Sequence, residues 1–197
     1  MSLITLTTDF GSEDWFVGVM KGVILGIAPR AAIVDITHGI SPGDVFAGAF
    51  ALAASCRCFP RKTVHVAVID PGVGGGRQAI VVQTRDYYFV GPDNGVLSLA
   101  LEQESIRSIR RLQNRRFFRP DISNTFHGRD IFAPVAAHLS KGVAVAALGP
   151  ELNDCVRLSL HPPAFKRGRL FGEVVYVDRF GNAITNVREA DLTPFDP

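Results

Sequence analysis

The chain has 197 residues, of which 47% are hydrophobic, so it can bury the core of one domain and begin a second. Its net charge of +2 is too small to indicate a nucleic-acid surface, and no apolar run is long enough to cross a membrane. Three cysteines form no even disulfide framework, which suits a reducing compartment. We therefore expect a cytoplasmic protein with neither nucleic acid nor a membrane as its partner.

The first half of the chain alternates between strands and helices. Hydrophobic periodicity and turn residues predict strands at 3–8, 32–36 and 63–69, helices at 16–28 and 45–55, and a hairpin formed by 79–84 and 87–90. Such alternation is typical of an α/β fold with a mostly parallel sheet and helices on both faces.

The second half changes character near residue 150. Helices are predicted at 96–101 and 131–139, separated by an arginine-rich segment that we interpret as an irregular, solvated loop. Prolines, glycines and alternating β-branched residues then indicate an antiparallel β module. We expect an α/β catalytic domain at 1–162 and an incomplete β domain at 163–197, because the chain ends with residues 193–197 without a closing element.

Two aspartates follow predicted strands directly. Asp9 comes after the first strand, and Asp70 comes after the third. Ligands of parallel α/β sheets bind beyond the carboxyl ends of the strands, so these carboxylates are candidates for one shared site. The alternative is that each aspartate only caps a helix or forms a turn.

The loop after Asp70 contains four glycines and ends at Arg77. Its spacing matches neither the Rossmann fingerprint nor the P-loop, so a phosphate cradle is not indicated. Glycines allow positive φ and close backbone approach, and the loop could therefore return Arg77 to Asp70. A mobile hairpin connection is the alternative.

Two further segments combine polar and aromatic side chains. Phe126 and His127 precede a predicted buried helix, where an imidazole in a loop can face a ligand. Asp178, Phe180 and Asn182 lie within five residues at a strand end, as in a β-turn or a clamp for a flat ring. The other four histidines, at positions 38, 65, 138 and 161, are expected to have structural or surface roles.

The chain resembles one known family in four segments, which read TTDFGSEDWFVG, VIDPGVGGGR, NTFHGRDIFAP and VDRFGNAITN. This family comprises the adenosine-forming S-adenosyl-L-methionine hydrolases, or SAM hydroxide adenosyltransferases, which are related to fluorinase and chlorinase. Its members are longer and end in a C-terminal β-barrel. The resemblance therefore implies that residues 163–197 begin such a barrel.

The resemblance implies a catalytic set and a reaction. Asp70, Arg77 and His127 would assist water or hydroxide in attacking C5′ of S-adenosylmethionine, which releases methionine and leaves adenosine. Halogenating relatives would carry tyrosine at positions 70 and 127 and serine at 128, so the sequence favours water over halide as the nucleophile.

The resemblance also implies how the substrate is bound. Asp9 would bind the ribose hydroxyls, Asp14 would lie near the methionine portion, and the remaining candidates are Phe126, Asp178, Phe180 and Asn182. Halogenases carry a methionine-binding serine where this chain has Phe16. Family members form trimers with sites between subunits, and we expect neither a cofactor nor a metal.

Two other functions use the same ligand. A nucleoside-binding or S-adenosylmethionine-binding module would keep the pocket without turnover. A methyltransferase would leave S-adenosylhomocysteine, but the usual glycine-rich loop after the first strand is missing.

Overall fold

The computed structural model describes residues 2–193, whose backbone divides into two units between Leu158 and Ser159. The assignment of domains at 1–162 and 163–197 stays a prediction. Residues 194–197, which contain most of the ending expected to be incomplete, lie outside the described residues.

The first unit contains a seven-stranded mixed sheet. Its strands are β1 (Leu3–Thr8), β2 (Ala32–Thr37), β3 (Val64–Val68), β4 (Ala79–Thr84), β5 (Tyr88–Pro92), β6 (Ile106–Arg111) and β7 (Glu151–Leu152). They are ordered β2-β1-β3-β5-β4-β6-β7. β1, β2, β3, β5 and β6 run in one direction, whereas β4 and β7 run in the other. The predicted α/β fold with a mostly parallel sheet is thus confirmed, and the hairpin of β4 and β5 makes the sheet mixed.

Helices cover both faces of this sheet. They are α1 (Phe16–Ile27), α2 (Val45–Ser55), α3 (Ser98–Leu101) and α4 (Ala133–Ser140). One buried cluster joins α1 and α4 to Val64 and Val66 of β3, and a second joins α2 to Ala67 and Ile69. Because successive residues of a strand point to opposite faces, β3 is buried on both sides.

Close packing fixes the carboxyl end of β3. A Cβ added to Gly48 of α2 would lie 2.6 Å from Cδ1 of Ile69, so only glycine lets this helix approach so closely. The strand end that carries Asp70 therefore rests directly on a helix.

The arginine-rich segment was wrongly predicted to be irregular throughout. Residues 106–111 form β6, which pairs with β4 on one side and β7 on the other. Arg110 donates hydrogen bonds to the carbonyl of Gly149 at 3.2 Å and to Glu151 at 3.1 Å. Long arginine side chains can lie along a sheet while their charged ends reach polar partners, and this hides a strand in a charged sequence.

The second unit consists of short antiparallel pairs. β8 (Ala164–Lys166) pairs with β9 (Arg169–Phe171), β10 (Val174–Val177) pairs with β11 (Ala183–Thr185), and α5 (Glu189–Leu192) follows. The antiparallel character agrees with the sequence, and the barrel stays a prediction. Across residues 2–193, no helix is both long enough and apolar enough to span a bilayer.

Candidate functional site

A cavity of about 520 Å³ lies at the carboxyl ends of β1 and β3. Its walls come from residues 9, 10 and 16 after β1, from 42 and 43 before α2, from 68, 70, 71 and 73 at the end of β3 and from 125–128 before α4. A larger cavity of about 990 Å³, beside Ser2, Pro29 and Lys141, contains none of the predicted site residues. The first cavity is at the edge of the sheet where α/β proteins bind ligands.

Asp70 and Arg77 form a nearly buried ion pair. Their side chains are 5% and 11% exposed. Nε of Arg77 donates to Oδ1 of Asp70 at 2.9 Å, and Nη2 donates to Oδ2 of the same carboxylate. This fork-like contact holds the carboxylate in one orientation.

Arg77 also reaches His127. The distance between its Nη2 and Nδ1 of His127 is 2.7 Å. A guanidinium has only donors, so Nδ1 must accept and the ring proton must lie on Nε2. Burial, then the positive charge of Arg77, lower the pKa of His127 from 6.5, while Asp70 and Asp130 act in the opposite direction. The imidazole is therefore neutral at pH 7.

The glycine-rich loop is built to bring Arg77 back. Val73 donates its N–H to the carbonyl of Asp70 at 3.1 Å, which closes a turn. Gly74 has φ +75°, and a Cβ there would lie 2.2 Å from the carbonyl oxygen of Asn124. Positive φ and this approach both require glycine, so the loop packs against the segment that carries His127.

A buried carboxylate shapes the segment that carries His127. Asp130 is fully buried and accepts hydrogen bonds from Nε of Arg129 at 2.7 Å and from the backbone N–H of Ser123 at 2.9 Å. The guanidinium of Arg129 lies 5.2 Å from the ring centroid of Phe126. Asp130 and Arg129 are thus structural partners that hold Phe126 and His127 at the cavity wall.

Asp9 and three aromatic rings complete the cavity. Oδ2 of Asp9 accepts the backbone N–H of Gly43 at 2.8 Å. The Phe16 ring lies 5.2 Å from that of Phe126 and 5.8 Å from that of Phe10. Trp15, the only tryptophan, is 59% exposed and lies 4.6 Å from the Phe16 ring.

The other predicted residues are Asp14 of the first unit and three side chains of the second unit. Asp14 is exposed and is not part of the cavity wall. Asp178, Phe180 and Asn182 belong to the second unit, where Asp178 accepts the backbone N–H groups of Phe180 at 2.9 Å and Asn182 at 2.8 Å. Hydrogen bonding, first from the side chain of Asn182, lowers the pKa of Asp178. This is the predicted β-turn, while the substrate roles of these residues stay predictions.

Two polar residues near the site were not among the candidates. Nδ2 of Asn94 donates to the carbonyl of Ile69 at 2.8 Å and so fixes the backbone just before Asp70. His38 bonds to the hydroxyl of Thr8 at 2.8 Å, next to Asp9. The position of Asn94 just after β5, the neighbour of β3, could have identified it as a candidate. The sequence around His38 indicates only a turn and gives no sign of a contact with the site.

Comparisons with known proteins show the family of this chain. A family model described as the SAM hydroxide adenosyltransferase N-terminal domain matches residues 4–149. A relative from Methanocaldococcus jannaschii named (R)-S-adenosyl-L-methionine hydrolase is 41% identical over 98% of this chain and 70% of its own length. A fluorinase from Actinoplanes is more distant, at 27% identity over 96% of this chain and 73% of its own length.

The fold also matches a solved structure. A crystal structure of an uncharacterized conserved protein from Thermotoga maritima superposes with a TM-score of 0.92 at 42% identity, covering 99% of this chain and 75% of that one. With this fold, this cavity and these matches, the chain belongs to the SAM hydroxide adenosyltransferase family.

Proposed function

We propose that this chain hydrolyses S-adenosyl-L-methionine to adenosine and L-methionine. The oxygen of water bonds to C5′ of the ribose, the bond between C5′ and sulfur breaks, and its electron pair stays on the sulfur of methionine. One proton is released. The relative from M. jannaschii is named for the (R) form of the substrate, and we extend that preference to this chain.

The bridge that Arg77 makes between Asp70 and His127 is the observation that carries the proposal. These side chains come from distant parts of the chain, yet Asp70 and His127 both line one cavity and Arg77 contacts both of them. A sulfonium is already a good leaving group, so the reaction needs an aligned nucleophile more than it needs an acid.

The hydrogen-bond directions suggest a role for each side chain. His127 keeps its proton on Nε2 and can donate a hydrogen bond from it to the oxygen of the nucleophile. Asp70 has further lone pairs and can accept a hydrogen bond from the same water. Arg77 keeps the proton of His127 on Nε2 and holds the carboxylate of Asp70 in its orientation. Water is then held with one proton directed at Asp70, which takes up that proton as the new C–O bond forms and releases it to solvent afterwards.

The charges in the cavity suit a cationic substrate. The charges of Asp70 and Arg77 cancel, His127 is neutral, and Asp9 adds one negative charge. A carboxylate near a sulfonium attracts it, more strongly in a site from which water is excluded. We assign Asp9 to the ribose hydroxyls and Phe126 to the apolar wall beside the reacting carbon.

The remaining assignments also belong to this proposal. Asp14 would contact the methionine portion, and the second unit would contribute its substrate contacts through Asp178, Phe180 and Asn182. A homotrimer with sites between subunits would bring the two kinds of unit together. The proposed reaction draws on no cofactor, because the sulfonium activates its own carbon, and it would take place in the cytoplasm.

Incubation of the protein with each sulfur epimer of S-adenosylmethionine tests the proposal. Chromatography should detect adenosine and methionine in equal amounts, formed faster from the (R) epimer. Binding without either product would instead indicate a nucleoside-binding module, and S-adenosylhomocysteine would indicate a methyltransferase. Either result would contradict the proposed hydrolysis.

A further inference from the structure

The end of β1 is tied to the end of β2 through His38. The hydroxyl oxygen of Thr8 lies 2.8 Å from Nδ1 of His38, and Nε2 of His38 lies 3.1 Å from Oδ1 of Asp35. Asp35 in turn pairs with Lys21 of α1 at 2.5 Å. His38 therefore lies between a surface ion pair and the strand end that carries Asp9.

The donors in this network have a definite order. The backbone N–H of Phe10 donates to the hydroxyl oxygen of Thr8 at 3.2 Å, and the backbone N–H of Gly11 donates to the carbonyl of His38 at 2.8 Å. With an amide donating to its oxygen, the Thr8 hydroxyl can give its own proton to Nδ1 of His38. The ring proton of His38 is then on Nε2, which lies 3.1 Å from Oδ1 of Asp35 but makes no hydrogen bond of good geometry within the described residues.

Thr8 and Phe10, the residues before and after Asp9, both belong to this network. Thr8 is fully buried, so its hydroxyl depends on a protein partner rather than on water. Oδ2 of Asp9 accepts the N–H of Gly43, and among the described residues its Oδ1 has no partner. Asp9 thus has one oxygen held by the loop that begins at His38 and one oxygen available to a ligand.

We propose that His38 is a positioning residue that acts through Thr8 to hold Asp9 and Phe10 in their ligand-binding geometry. The inference rests on the proposed function in taking Asp9 as the contact to the ribose hydroxyls. His38 does not line the cavity, so its effect on binding is indirect.

Matched variants separate positioning from general stability. Thr8→Val removes the hydroxyl at nearly constant shape, and Thr8→Ser retains it. His38→Ala removes the acceptor, whereas in His38→Asn the side-chain oxygen can take the place of Nδ1. His138→Ala, which removes another half-buried imidazole outside the cavity, serves as the control.

We expect His38→Ala and Thr8→Val to raise KM for S-adenosylmethionine about tenfold and to change kcat by less than about threefold. His38→Asn, Thr8→Ser and His138→Ala should stay within about threefold of the unchanged protein. An unchanged KM in His38→Ala and Thr8→Val would overturn the inference.

Nucleoside binding gives a second readout that does not depend on turnover. Trp15 lies beside Phe16 of the cavity wall, so its fluorescence can report the binding of adenosine and 2′,3′-dideoxyadenosine. His38→Ala should weaken adenosine binding about tenfold and dideoxyadenosine binding little. Equal losses for both nucleosides would show a merely structural role and overturn the inference.

Amide exchange distinguishes failure of this inference from failure of the proposed function. If the protein neither turns over S-adenosylmethionine nor binds adenosine, the proposed function fails. His38→Ala should still accelerate hydrogen exchange at the amide of Phe10, and His38→Asn should not. Unchanged exchange at Phe10 in His38→Ala would contradict the inference whatever the result for turnover.

Discussion

Arg77 hydrogen-bonds to both Asp70 and His127, and these two contacts determine the expected effect of each substitution. A bidentate contact neutralises its charge against Asp70, while Nη2 also keeps Nδ1 of His127 free of a proton. Both members of the ion pair are nearly buried, so removing one leaves an uncompensated charge, which typically costs about 3–5 kcal/mol.

Asp70→Asn should reduce adenosine formation at least about a hundredfold, because the amide can still accept a hydrogen bond but carries no charge to hold the water and Arg77. Asp70→Ala should abolish turnover and lower the thermal unfolding temperature further, although the fold should form. Rates of adenosine release and unfolding curves are the measurements. Asp121→Asn, at an exposed carboxylate, is the control, and full activity in Asp70→Asn would refute the role of Asp70.

The pKa of His127 should be visible in the pH dependence of the rate. Because burial and Arg77 lower it from 6.5, the active neutral form persists through pH 7, and kcat/KM should fall only as the pH drops below 6.5. Arg77→Met removes a nearby positive charge and should raise this pKa.

NMR titration of the His127 ring in both proteins measures the change. A lower pKa in Arg77→Met than in the unchanged protein would contradict the assigned contact.

The sequence predicted these three side chains and the return of Arg77 to Asp70, but it did not predict the hydrogen bond between Arg77 and His127. Asp70, Arg77 and His127 could each be picked from a motif, and the structure brings all three together. The orientation of His127 depends on a contact between residues separated by 50 positions, which no local pattern encodes. The shared role of Arg77 is therefore a result of the fold.

The four glycines of the loop between Asp70 and Arg77 differ in how much space surrounds them. Gly74→Ala should strain the backbone by about 1–2 kcal/mol and push the loop away from Asn124, because the new Cβ would overlap a carbonyl oxygen. A displacement of about 1 Å can reduce a rate about a hundredfold, so adenosine formation should fall at least about tenfold.

Gly76→Ala is the matched control, since a Cβ there meets no atom within 4 Å. It should keep nearly full activity. Equal rates in Gly74→Ala and Gly76→Ala would show that close docking of the loop is not required.

The order of elements could largely be predicted from the sequence, whereas two local features could not. β6 was hidden because arginines occupy positions that usually carry apolar residues, and its pairing with β4 is decided by the sheet. His38 looked like an ordinary turn residue, because its partner Thr8 comes from a strand 30 positions earlier. Parallel pairing of β1 with β2 brings them together.

The sheet separates two buried clusters, and one of them packs against a buried histidine that should make stability depend on pH. His65 of β3 is fully buried, stacks on Phe89 at 5.2 Å and bonds to the hydroxyl of Thr5 at 2.8 Å. Burial lowers its pKa from 6.5 to about 4. The folded state therefore takes up this proton less readily than the unfolded chain does.

Acidification should consequently weaken the fold. The contribution of His65 is complete above pH 6.5, is lost as the pH falls towards 4, and amounts to about 3 kcal/mol in the free energy of unfolding. Denaturant unfolding between pH 7 and 4 measures this change. In His65→Phe the pH dependence should be smaller by that amount, and an identical dependence in both proteins would exclude His65 as its source.

Attack of water on C5′ is tested most directly by hydrolysis of S-adenosylmethionine in ¹⁸O-labelled water. Mass spectrometry should find one ¹⁸O atom in adenosine, at the 5′ oxygen, and none in methionine. Adenosine without the label, or labelled methionine, would contradict the account in which Asp70, Arg77 and His127 align water behind the carbon that bears the sulfonium.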